Sequence, residues 1–262
     1  MRNKILKSQK ISIRFFQSGI FLSLFLYTPK AFSQSISESN LAAEARLINV
    51  KIFGPASSGS GVILNKNNSV YEVLTANHVI EGVRDGDDVE IMTPDGKYHL
   101  FIPDSINKVP NVDMATIKFS SLSVYKTAKL GDSQSIRSGN KVYVAGFPLP
   151  TASVDKSIFR FQGGNVIANS SSKLKDGYNL LYSNPSLPGM SGGSVINEYG
   201  KLIAIHGRSE LDAKASSDIG KLISTGVNQA IPVSYFIAFN QKRDIVISES
   251  KKTSDDYLAE AY

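Results

Sequence analysis

Cysteine is absent from all 262 residues, which excludes disulfide staples, thiolate catalysis and cysteine-ligated zinc. A stable fold must then rest on a packed core, and a chain of this length with 42 % hydrophobic residues supplies one. Acid is missing from positions 1–33, where Arg2, Lys4, Lys7, Lys10, Arg14 and Lys30 are all basic. Those residues account for the whole formal charge of +6, because 23 basic residues face 23 acidic ones in the remainder. That balance excludes nucleic acid as the expected partner. The apolar run after the basic stretch, Ile20-Phe21-Leu22-Ser23-Leu24-Phe25-Leu26-Tyr27, is far short of the roughly 20 residues that span a bilayer. With Ala31 and Ser33 as small residues ahead of Gln34, the pattern predicts a secretory signal peptide over 1–33, cleaved after Ser33. A secreted or periplasmic chain is expected, with no stable membrane insertion after cleavage.

Helical periodicity is also scarce. From Ala45 to about Gly207 the chain reads as short apolar or β-branched runs divided by turn residues. These runs are Leu47–Phe53, Gly61–Leu64, Val70–Leu74, Val89–Met92, Tyr98–Ile102, Met114–Phe119, Val142–Ala145, Ile158–Phe161, Leu180–Tyr182, Val195–Ile196 and Leu202–Ile205. Thr93-Pro94-Asp95-Gly96 is a strong hairpin turn. Many short strands at regular spacing predict an all-β chain, a barrel or a sandwich. Helix is expected only near Ala76–Gly82 and from 232 to about 241. Residues 242–262 are polar and read as a loosely held tail.

Three local patterns carry chemistry. A strand runs into a turn at Leu74-Thr75-Ala76-Asn77-His78-Val79, and an acid opens an apolar strand at Val112-Asp113-Met114-Ala115. A serine lies in the glycine-rich turn Pro188-Gly189-Met190-Ser191-Gly192-Gly193, just before a strand. A serine hydroxyl is a weak nucleophile at neutral pH. It needs a histidine to take its proton and a buried acid to fix that imidazole's tautomer. Glycine lets the serine loop aim backbone N–H groups at one point, so the N–H groups of Gly189 and Ser191 are the candidate oxyanion hole. Gly-x-Ser-Gly-Gly alone arises in about one in a hundred chains of this size, and the ordered histidine and aspartate motifs make the set far more specific.

The competing residues have plainer readings. His99 follows a hairpin and reads as a surface strand residue, while Asp85, Asp87 and Asp88 read as solvated loop acids without the spacing of a calcium loop. An esterase elbow satisfies Gly189 to Gly193 as well. It requires a long helix after the serine and a histidine later in the chain, whereas Val195-Ile196 is strand-like and His78 comes first.

On these motifs the chain resembles the trypsin-fold serine proteases, in their bacterial HtrA-like and glutamyl-endopeptidase branches. The resemblance extends through Gly59-Ser60-Gly61-Val62-Ile63-Leu64, Leu130-Gly131-Asp132-Ser133, Gly146-Phe147-Pro148 and Gly226 to Pro232. It implies two six-stranded antiparallel β-barrels, at about 45–125 and 126–230, within a protease domain over 34–241 that ends in a short C-terminal helix. The active site would lie in the cleft between the barrels, with His78, Asp113 and Ser191 as triad. The expected partner is a protein or peptide substrate, and the chemistry requires no metal or organic cofactor. Met190 stands where the animal digestive enzymes carry an aspartate, and no Ile-Val-Gly-Gly-like start occurs, so activation through a new amino terminus is not expected. No segment for a peptide-binding PDZ domain is expected after the second barrel. Similarity to the glutamyl endopeptidases implies a specificity pocket of Ser186, His206 and Ser209, suited to a substrate carboxylate. The rival expectation is a catalytically silent protease fold that binds peptides.

Overall fold

The computed structural model describes residues 36–54, 58–84 and 87–244. The expected signal peptide and residues 245–262 of the expected tail lie outside the described residues.

The first described element is helix α1 (Glu38–Ile48), outside the two places where helix was expected and taking in the first two residues of the run Leu47–Phe53. Ser37 caps it by accepting the N–H of Asn40, and Leu41, Ala45 and Ile48 form its buried stripe. That i, i+4, i+7 spacing lines one helical face. Asn49 ends the helix. Its amide donates to the carbonyl of Ala45 at 2.7 Å and to Ser194 Oγ at 2.8 Å, while its Oδ1 accepts the N–H of Ser194 at 3.0 Å. The helix is thereby fastened to a strand more than a hundred residues away.

Strands β1 (Asn49–Phe53), β2 (Ser58–Asn67), β3 (Val70–Thr75), β4 (Glu90–Met92), β5 (Tyr98–Leu100), β6 (Asn107–Lys108) and β7 (Ala115–Ser120) form one antiparallel sheet. Its order is β5-β4-β1-β2-β3-β7-β6. The sheet curls until Phe101, just past β5, bridges to Phe119 on β7, and the N–H of Ile102 reaches the carbonyl of Lys118 at 2.7 Å. The first barrel is therefore a curled seven-stranded sheet, its ends drawn together by this bridge and with two-residue β6 at one edge. His99 corrects its surface reading. It is half-buried, bonded to Tyr125 Oη at 3.0 Å and packed 5.0 Å from the ring of Phe119.

Strands β8 (Lys141–Gly146), β9 (Arg160–Asn169), β10 (Leu180–Tyr182), β11 (Ser194–Asn197), β12 (Leu202–Leu211) and β13 (Ser224–Pro232) form a closed antiparallel barrel. The fold is thus mostly β, with one fully closed barrel and one curled sheet. β9 and β12 run well past the apolar runs that announced them, because their outer ends present polar residues along solvent-facing edges. The short helix α2 (Ala213–Ile219) interrupts the β12–β13 connection and buries no side chain. The C-terminal helix runs over 234–244, so Lys242, Arg243 and Asp244 belong to it rather than to a tail. No glycine or proline interrupts the chain there, and Val233 and Phe236 anchor it in the core. The helix expected near Ala76–Gly82 is a single 3-10 turn, Asn77–Val79.

Candidate active site

His78 lies on that 3-10 turn, directly after β3, and Asp113 in the turn that leads into β7. Adjacent pairing of β3 with β7 brings the two turns together. The His78 N–H donates to Asp113 Oδ1 at 2.8 Å, and Nδ1 meets Oδ2 at 2.7 Å. The histidine side chain is 40 % exposed and the aspartate 16 %, so the acid stands behind the base. Burial works to raise the Asp113 carboxyl, but hydrogen bonds from His78 and Tyr178 outweigh it and hold the group below its ordinary value. The Tyr178 hydroxyl donates to Oδ2 at 2.5 Å. Burial, then the Asp113 charge, push the tyrosine's own pKa upward.

Ser191 enters from the second barrel on the loop before β11. Met190 anchors that loop, fully buried in the barrel core. Gly192 has φ +84°, and a Cβ there would stand 2.1 Å from the carbonyl of Ser60 and 3.1 Å from the N–H nitrogen of Ala76, so only glycine lets this loop lie against the His78 turn. Three carbonyls fix the loop's peptide planes. Pro188 O accepts from the N–H of Leu149 at 2.8 Å, Gly189 O from Ser60 Oγ at 2.9 Å, and Met190 O from the N–H of Gly193 at 2.9 Å. In a trans peptide the C=O and the following N–H point in opposite directions. The N–H groups of Gly189 and Ser191 are therefore turned away from these tethers, and among the described residues neither has an acceptor. The Ser191 hydroxyl donates to the carbonyl of Gly207 at 2.8 Å. Among the described residues no hydrogen bond joins it to His78.

The three pocket candidates are only partly brought together. Ser186 Oγ and Ser209 Oγ both donate to Asn228 Oδ1, at 2.6 and 2.8 Å, and the Asn228 amide donates to the carbonyl of Asn184 at 2.6 Å. His206 is 2 % exposed and meets Tyr182 Oη through Nδ1 at 2.5 Å rather than either serine. Burial, with a smaller push from His78, lowers His206 to about 4, so its imidazole is neutral near pH 7. Ser60, Tyr178, Tyr182 and Asn228 are site residues that local patterns did not single out. Ser60 had a signal in its place between Gly59 and Gly61, and Asn228 lies within the stretch Gly226 to Pro232 that carries the resemblance.

A hollow of about 480 Å³ beside His78 and Asp113 is lined also by Asn77, Glu81, Lys108 and Asp176. A larger one of about 730 Å³, lined by Arg137, Asn169, Lys173 and Tyr235, contains none of the triad candidates. No group of three histidine or acidic side chains converges as a metal-ligand set among the described residues.

Comparison with known proteins adds to this geometry. The trypsin-like peptidase domain family matches residues 59–205. The serine protease Do-like HtrA of Bacillus subtilis (strain 168) is 30 % identical over 187 residues, 64 % of this chain and 38 % of that one. The serine protease Do-like HtrA of Lactobacillus helveticus is 28 % identical over 154 residues, 57 % of this chain and 35 % of the relative. The chain thus spans well under half the length of these relatives. A solved structure of the HtrA-type protease AlgW with tripeptide superposes with a TM-score of 0.60 at 23 % identity, covering 79 % of this chain and 63 % of that one. That likeness concerns the fold alone.

Proposed function

The chain belongs to the trypsin-like peptidase family, and from that premise we propose that it is an exported serine endopeptidase working through Ser191, His78 and Asp113. The observation that carries this reading is the pairing of a doubly held Asp113–His78 couple with a serine loop whose Gly189 and Ser191 N–H groups have no acceptor among the described residues. His78, its Nδ1 proton held by Asp113, takes the Ser191 proton as Oγ bonds to the substrate carbonyl carbon. The oxygen that becomes negative receives the two N–H groups, each worth roughly 2.7–4 kcal/mol in such sites. His78 then protonates the leaving amine, the peptide bond breaks, and water hydrolyses the acyl-enzyme through the same base. Export rests on the basic-then-apolar pattern of residues 1–33.

A preference for glutamyl bonds is the finer part of the proposal. Burial keeps Tyr182 protonated, and in the tautomer this reading requires its hydroxyl donates to His206 Nδ1 while the ring proton sits on Nε2 as a donor for a carboxylate. Ser186 and Ser209 supply two more donors once their hydroxyls turn from Asn228. The second reading, a silent peptide-binding fold, is favoured by one observation, the engagement of Ser191 Oγ with Gly207. Rotation about the serine Cα–Cβ bond releases that contact. Hydrolysis of denatured casein by the purified protein, beside Ser191→Ala, separates the readings. Activity in the parent and its near-complete loss in the variant are expected, and mapped cleavages should follow Glu in preference to Gln, Ala or Lys. Two folded, inactive proteins would establish the binding reading instead.

A further inference from the structure

Tyr178 occupies an unusual seat. It is 1 % exposed, yet its ring lies where a side chain at position 207 would be. A Cβ on Gly207 would stand 2.1 Å from Tyr178 Cε1 and 2.3 Å from its Oη. Position 207 is bare, and the phenol reaches across the gap to Asp113 Oδ2 at 2.5 Å. Gly207 also holds the Ser191 hydroxyl through its carbonyl, so one glycine touches both the nucleophile and the group that grips the acid.

The tyrosine is itself held in a closed circuit. The Arg208 guanidinium lies 4.0 Å over the Tyr178 ring, with Nε on Gln229 Oε1 at 2.9 Å and a second nitrogen 3.4 Å from Asp176 Oδ2. The backbone carbonyl of Asp176 accepts the N–H of Asp113 at 2.9 Å. Segment 170–178 of the second barrel therefore reaches the acid of the first barrel twice, once through backbone and once through the phenol.

We propose that Tyr178 is a positioning residue for Asp113, its hydroxyl fixing the carboxylate toward His78 while Gly207 and Arg208 hold its ring. The proposal rests on the triad reading above. A buried tyrosine that merely fills space predicts no effect from removing its oxygen alone. A positioning role predicts one, because a hydrogen bond to a charged group exceeds a neutral one. Loss of that donor leaves more of the Asp113 charge to act on His78, which raises the pH at which the imidazole loses its proton.

The test compares the parent with Tyr178→Phe, Tyr178→Ala and Tyr178→Ala paired with Gly207→Ser. The assay substrate is a peptide spanning a mapped casein cleavage, followed across pH. His78 titration is read in parallel by NMR. The charged and titratable groups that bear on the readout are His78 and Tyr178 on Asp113, His206 across from His78, Asp176 and Arg208 behind the tyrosine, and Glu81 and Lys108 in the adjoining hollow. Tyr178→Phe, which keeps the ring in its seat, should lower kcat about tenfold with KM within about twofold of the parent. Its acidic limb and its His78 titration should both move to higher pH. Tyr178→Ala should lose more, and Gly207→Ser should restore at least about tenfold of that loss, since the new Cβ stands beside the vacated hydroxyl position. Unchanged kcat and an unmoved His78 titration in Tyr178→Phe would overturn the proposal. A parent no more active than Ser191→Ala would sink the protease reading, and the His78 titration would still decide whether Tyr178 acts on the couple.

Discussion

Ser60, wholly buried on β2, uses its N–H, hydroxyl and carbonyl at once. The N–H donates to the carbonyl of Ser191 at 2.7 Å, and the hydroxyl donates to Gly189 O while accepting from the N–H of Phe147 at 2.8 Å. Its own carbonyl accepts from Thr75 Oγ1 at 2.8 Å. One residue of the first sheet thus sets the peptide planes of the serine loop in the second barrel. Ser60→Ala leaves Gly189 O and the Phe147 N–H buried without partners, at roughly 1–3 kcal/mol each. A fall in kcat of about tenfold with KM near the parent value is expected, measured on the peptide assay with thermal unfolding as control. A changed KM at constant kcat would refute the clamp. Local patterns singled out His78, Asp113 and Ser191 because each sits at a strand–turn junction with its own composition. Ser60, Tyr178 and Asn228 escaped such patterns because their partners lie 129, 65 and 42 residues away in the chain. No local window contains that information.

At the scale of elements, helix α1 had a legible stripe in Leu41, Ala45 and Ile48, with Ser37 as cap. The short stripe lies in a polar, alanine-containing segment and gains its value only from the barrel it covers, so it reads as loop in isolation. Leu41 is fully buried. Leu41→Ala should destabilise the fold by about 2–5 kcal/mol, seen as a lower urea midpoint, and an unchanged midpoint would mean that the helix is dispensable. The apolar strands of both barrels were legible because alternation and turn residues bound them. β9 was not. Gln162, Gly163, Gly164 and Asn165 carry little apolar signal, yet they pair in register with Val144, Tyr143, Val142 and Lys141 of β8. There the ladder of backbone hydrogen bonds, set by the neighbouring strand, overrides weak local preference.

At the scale of the molecule, acid should loosen the fold in a defined window. His206 titrates near 4 when folded against an ordinary 6.5, so between these values the unfolded chain binds more protons and stability falls as pH drops. No stability is lost through this group above about 6.5, and the loss reaches about 3 kcal/mol by about pH 4. Asp113, held below its ordinary value, adds a loss at the acidic end as pH falls through its folded pKa. Urea midpoints at about pH 7 and about pH 4 should therefore converge in His206→Gln relative to the parent, and parallel slopes would refute the assignment. The tie between Asn49 and Ser194 joins residues 145 positions apart. Under the proposed export, with the amino end leading, α1 emerges long before the strand that receives it. Through that interval the helix has no floor, and the Ser60 clamp waits for the loop it is to hold. The proposed cutting edge would then be completed only after the second barrel has followed, away from the proteins of the cell that made it.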